Sequence, residues 1–211
     1  DRMTYIRKSL PEDLIHVSTH MRKADCMEIS ASSNSRPIDS LMRGYKSSLP
    51  SCYSIVNDMI TRNSVYEDVG FISQNLRQAD LDEIEALGRV PEQAIEESFF
   101  GSKPHSYTGE YQGVPMAMFG VVPFEENPKW GSIWLLGTDD VTDGAPISFL
   151  KWTKLFFPIL IEPYEMVCNI VDKRNEVHIK WIKWLGFKFI REITHGPNKR
   201  TFYEFARLNH V

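Results

Sequence analysis

The sequence predicts a mixed α/β domain, a central mixed sheet flanked by helices, preceded by a duplicated β-α-α-β fragment. Three observations carry that expectation. From about residue 59 to the end, the apolar pattern alternates between strand and helix periods in the order β-α-α-β-β-β-α-β-α-β-β. "EDLIHVSTHMRKADCMEISA", starting at Glu12, returns 55 residues later as "EDVGFISQNLRQADLDEIEA", starting at Glu67. And "NEVHIKWIKWLGFKF", residues 175 to 189, reads as an asparagine-capped amphipathic helix that ends at a glycine and feeds a strand.

The repeat comes first along the chain. Glu12/Glu67, Asp13/Asp68, Arg22/Arg77, Asp25/Asp80, Glu28/Glu83 and Ile29/Ile84 are among the identical pairs, and at the same shift Arg7 meets Arg62 and Ser9 meets Ser64. With one residue of slippage Pro50 pairs with Pro104 and Tyr53 with Tyr107, so the unit runs from about Thr4 to Tyr53 and again from Met59 to Tyr107. A solenoid needs about three or more units to bury its stacking faces, and only the second copy continues here. The expected division is therefore a partial unit over 1–57 and a complete domain over 58–211.

In the complete domain "MITRNSV" fits a strand, Glu67 to Leu87 has helical spacing ended by Gly88, and "PEQAIEESFF" opens with a proline tolerated in a first turn. "SYTGEY", "MAMFGVVPF" and "SIWLLGT" follow as an antiparallel meander, with turn chemistry in "QGVP" and "EENPKWG". "APISFLKWTKLFFPILI" reads as a buried helix that Pro158 kinks or ends, and "EMVCNIVD" as a buried strand. In the helix after Asn175, Val177, His178, Trp181, Ile182, Trp184 and Leu185 share one arc, which places the tryptophans and His178 in the core. "KFIREITHGPNKRTFYEFARL" closes the chain as two strands about a turn.

Composition narrows the function classes. With 24 Lys+Arg against 28 Asp+Glu and a net charge of −4, scattered along the chain, there is no basic footprint for nucleic acid. The start "DRMTYIRKSL" is too polar for a secretory signal and "FFPILI" too short to span a bilayer, so no membrane role is expected. Cys26, Cys52 and Cys168 lack metal-ligand spacing and point to a reducing compartment. Asp139, Asp140 and Asp143 in "GTDDVTDG" do not follow the 1, 3, 5 spacing of a calcium loop, and no metal site is expected. Glu125 and Glu126 read as solvent-facing turn residues.

Asn175, Leu185, Gly186 and Phe187, with this element order, resemble the last helix of GNAT-type N-acetyltransferases over about residues 59 to 205. The resemblance implies acyl-coenzyme A at the turn after the fourth strand of that fold, through V-x-x-x-x-R-x-x-G-x-G. Aligned on Leu136, this chain has "LGTDDVTDGAP": Gly144 matches the first glycine, Val141 replaces the basic residue, and Pro146 replaces the second glycine. Pro146 removes one N–H donor from a helix start that would otherwise hold phosphate. The tyrosine that often serves as general acid falls at Ile182, which has no proton to donate. On this resemblance no catalytic residue is expected, and any cofactor contacts fall to Leu136, Thr138, Gly144 and Asn175.

The pattern Asn175, His178, Ile179, Leu185, Gly186, with the pair Thr138-Asp139, is more similar to a divergent GNAT-like group, the internal virion (core) proteins of short-tailed bacteriophages. This implies a non-catalytic protein packaged in a phage head and connected with DNA ejection, made in the bacterial host cytoplasm and needing no cofactor. Its expected partners are other virion proteins, or a second copy through residues 1–57. The alternative is an active N-acetyltransferase using acetyl-CoA through an altered loop.

Overall fold

A computed structural model describes residues 54–56, 59–144 and 146–209. The first copy of the repeat, about Thr4 to Tyr53, lies outside the described residues. The elements are β1 (Ser54–Val56), β2 (Met59–Asn63), α1 (Tyr66–Gln74), α2 (Gln78–Ala86), α3 (Pro91–Gly101), β3 (Ser106–Tyr111), β4 (Val114–Pro123), β5 (Trp130–Gly137), a 3-10 turn (Asp139–Val141), α4 (Pro146–Ile161), β6 (Met166–Asp172), α5 (Glu176–Trp184), β7 (Lys188–His195) and β8 (Arg200–Leu208).

These strands form one eight-stranded mixed sheet in the order β1-β2-β3-β4-β5-β6-β8-β7. Every neighbouring pair is antiparallel except β5 with β6, which run parallel and need α4 as the crossover. The mixed α/β expectation holds, and among the described residues β1 is an edge strand of the sheet.

Two cores lie against the sheet. Val69, Ile72, Ile84, Ile95 and Phe99 of α1 to α3 pack with Met118 and Trp134. The larger core joins Phe149, Trp152, Phe156 and Ile161 of α4 and Ile182 of α5 to Met116, Phe119, Val167 and Phe205. β4 is central and reads as a nearly continuous buried run from Met116 to Val121, as a strand covered on both faces must. In α4 the buried residues Phe149, Trp152, Thr153, Phe156, Phe157 and Leu160 recur at helical spacing. Trp152 Nε1 donates to Thr61 Oγ1 at 2.5 Å, so this core also locks α4 to β2 through a buried polar contact.

Three local expectations change. The run from Glu67 to Leu87 is two helices, because Leu76 leaves the helix to bridge Thr138 and the Arg77 N–H bonds the Gly137 carbonyl at 3.0 Å. Pro158 neither ends nor interrupts α4, which continues to Ile161. Pro158 and Lys154, whose carbonyl loses its helical partner, both lie on the exposed face. In α5 and its C-cap, Ile182 and Leu185 are buried, but Trp184 (51% exposed) and Val177 (57%) face solvent rather than core. The apolar arc on that short helix is wider than the surface that covers it.

Candidate functional site

β5 and β6 are hydrogen-bonded only at their starts, Trp130 with Met166, Gly131 with Val167 and Ser132 with Cys168. Beyond Ser132 they diverge, and the Asn169 side chain bridges the opening by donating to the Ile133 carbonyl at 2.6 Å. Leu135 and Leu136 are thus left beside a cleft of about 230 Å³ that passes between the strands. Phe156, Phe157 and Leu160 of α4, Trp181 and Ile182 of α5, and Phe187 make most of it apolar. Glu83 from α2 and His178 from α5 bring titratable groups to it.

A polar network ties α2 to the end of β5. Arg77 pairs with Asp80 at 2.7 Å, both buried, and the other Asp80 oxygen accepts from the Gly137 N–H at 3.0 Å. This satisfies the backbone where β5 has lost its neighbour. Asn175 caps α5, its Oδ1 accepting from the His178 N–H at 3.3 Å, while its Nδ2 donates to Glu83 Oε2 at 3.3 Å. Gly186, at φ +84°, ends the helix in the left-handed conformation that suits glycine. The cap and the stop expected from sequence are both present.

Burial pushes the Glu83 carboxyl up to about 7, and the Asp80 charge adds to it against the pull of the Asn175 amide. Burial pushes the His178 imidazole down to about 4, so it is neutral at physiological pH. Three polar atoms around this region are sealed from solvent with no hydrogen-bond partner: Thr138 Oγ1, His178 Nδ1 and Trp181 Nε1. His178 and Trp181 stack at 5.4 Å between ring centroids. The cleft therefore offers an apolar slot, unsatisfied polar atoms, and one carboxyl able to take or give a proton near neutrality. Sequence reading passed over Glu83 as a site residue. The available signal was its identity with Glu28, inside the run where Asp25/Asp80 and Ile29/Ile84 are also identical.

The residues anticipated from the resemblance are not gathered at one point. Leu136 lines the cleft. Thr138 is buried, with its N–H already given to the Met116 carbonyl at 2.9 Å. Asn175 is buried and committed to its cap and to Glu83. Gly144 lies exposed on the turn, and a Cβ there would collide with Asp140 Oδ1 and stand 3.1 Å from the Asp140 Cα. The Asp140 side chain thus packs against Gly144, with Asp139 and Asp143 exposed on the same turn. Each close exposed pair of like charges costs on the order of 1 kcal/mol, less in salt. Val141, where a basic residue would stand, is buried in the larger core. This turn does not fit the pyrophosphate of coenzyme A. Ile182, at the position of the general acid, is 1% exposed and belongs to the packing.

Among the described residues no cluster of His, Cys, Asp or Glu could hold a metal ion, and no helix is long and apolar enough to cross a membrane. Cys168 is a half-buried free thiol whose pKa burial raises, which makes it a poor nucleophile.

No protein-family model matches the chain, and no curated protein matches it. Solved structures do. Ard1 from Thermoplasma volcanium superposes with a TM-score of 0.58 at 13% identity, covering 73% of this chain and 99% of its own. A GNAT-family acetyltransferase from Bacillus anthracis gives 0.53 at 10% identity, over 74% and 98%. The Salmonella typhimurium protein yncA, solved with its cofactor acetyl-CoA, gives 0.55 at 13%, over 74% and 96%. About three quarters of the chain thus has the architecture of the GNAT-type acetyltransferases, a likeness of fold.

Proposed function

We propose that the chain is a non-catalytic protein on an acetyltransferase-like fold, serving as an internal virion protein of the short-tailed phage type. The observation that carries the loss of activity is the β5–α4 turn, where Asp140 closes on Gly144 and Pro146 withdraws a backbone donor. The burial of Ile182 supports it, because the fold's usual proton donor has become core. The virion assignment rests on the likeness of Asn175, His178, Ile179, Leu185, Gly186 and Thr138-Asp139 to that group. On this reading the partners are other virion proteins and the cleft needs no cofactor. Fold by itself does not decide between binding and chemistry.

One observation favours the second reading, an acyl-CoA-dependent N-acetyltransferase with an altered cofactor loop. Glu83 lines the cleft with a pKa near 7, suited to accepting a proton from an amine. Thiol release from acetyl-CoA, measured with a panel of amines and peptides, separates the two. The first reading expects no release above the protein-free rate. Amine-dependent release that disappears in Glu83→Gln establishes the second. The virion role is tested by sedimenting phage particles that encode the chain: it should travel with intact heads, and recovery only in the soluble lysate overturns the assignment.

A further inference from the structure

We propose that residues 4–17 dock against the open edge of β1 as a second edition of β2 and α1, lengthening the sheet within the same chain. The starting observation is that the repeat keeps what the second copy buries. Asp68, Val69, Ile72, Leu76, Arg77 and Asp80 are buried. Their counterparts 55 residues earlier are Asp13, Leu14, Val17, Met21, Arg22 and Asp25, each identical or apolar for apolar. The exposed Phe71 corresponds to His16 and the exposed Asn75 to His20, so apolar character is kept at the buried positions and not at these exposed ones.

The polar contacts repeat as a set. Arg62 grips both Asp68 oxygens at 2.7 Å, and Thr108 Oγ1 lies 2.7 Å from Asp68 Oδ2 and 2.9 Å from Ser64 Oγ. The first copy has Arg7 for Arg62, Ser9 for Ser64 and Asp13 for Asp68. With the one-residue slip that pairs Tyr53 with Tyr107, Ser54 stands at Thr108's place and supplies the remaining hydroxyl type. Buried carboxylates are retained where their partners are retained.

β1 is therefore the first copy's counterpart of β3. In the second copy β3 pairs antiparallel with β2, Thr108 opposite Arg62 and Gly109 opposite Thr61. Carried back, that register places Ser54 opposite Arg7 and Ile55 opposite Ile6. β1 ends the sheet, and among the described residues its outer edge has no partner strand. An unpaired edge presents a row of free N–H and C=O groups to any strand of matching register. The chain between the paired strands spans 64–105 in one copy and 9–51 in the other, which differ by one residue.

The test is a disulfide placed by register in the full chain, with Cys26, Cys52 and Cys168 replaced by serine. Ile6→Cys with Ile55→Cys should close an intrachain bond on mild oxidation. Ile6→Cys with Val56→Cys, one residue off and facing opposite sides of the sheet, should not. Failure of the first pair, equal closure of both, or a bond only between two chains overturns the proposal. Melting of the otherwise native chain is an independent check that needs no new cysteines. Asp13→Asn and Asp68→Asn should both lower the transition, with Glu12→Gln unchanged, and an unchanged transition in Asp13→Asn where Asp68→Asn lowers it refutes the docking.

Discussion

Replacing Glu83 by glutamine should stabilise the protein at alkaline pH and leave it unchanged in acid. The folded state holds the Glu83 carboxyl at about 7 against 4.5 for an unperturbed glutamate. Between those values the folded protein binds a proton that the unfolded chain releases, so this group's contribution falls as pH rises, and the full cost applies above 7. At 1.36 kcal/mol per unit the cost is up to about 3 kcal/mol, nearer 2 once partial solvent access is allowed. Glutamine never ionises, and its carbonyl can keep the bond from Asn175 Nδ2. At roughly 2–4 °C per kcal/mol for a domain of this size, the variant should melt about 4–10 °C above wild type at pH 8, with no difference at pH 4. His178 titrates in the opposite sense, contributing stability above pH 6.5 that is lost as pH falls toward 4. The two slopes oppose one another between 4.5 and 6.5, so Glu83→Gln should also expose a rise in stability with pH across that window. Melting curves at half-unit steps read both effects. A constant offset between variant and wild type, or a loss of stability at pH 8, refutes the placement of Glu83 in a poorly solvated, negatively biased cleft.

His178→Phe should remove the acid-side loss, so its stability relative to wild type improves by up to about 3 kcal/mol on going from pH 7 to pH 4, as followed by urea unfolding. Asn175→Ala removes a helix cap and should cost about 1–2 kcal/mol; with the amide that pulls the Glu83 pKa down also gone, a carboxyl titration by NMR should shift upward. Thr61→Val keeps the shape of the site but strands Trp152 Nε1, and should lower unfolding free energy by about 1–3 kcal/mol in denaturant titration.

The helix from Asn175 to Gly186 was legible because caps are local: one side chain bonds an N–H three residues on, and one glycine supplies a positive φ. The meander was legible for a similar reason, since its turns are short and carry their own chemistry. The exposed aspartates of the turn at Gly144 and the proline that follows were legible because they are local too. Features made by distant residues were not legible. The break at Leu76 exists because Thr138, 62 positions later, offers a bridge. The elevated pKa of Glu83 depends on Asp80 and Asn175, on two different helices or their caps, and on burial that no local pattern encodes. Trp184 followed the apolar arc of its helix, yet among the described residues no element covers that side.

Calorimetric titration of the full chain with acetyl-CoA at low ionic strength tests the central claim most directly, because low salt favours any residual phosphate site. No saturable heat is expected up to millimolar ligand. Micromolar binding at one molecule per chain, weakened by salt, would contradict it and show that the turn around Gly144 opens to receive a diphosphate.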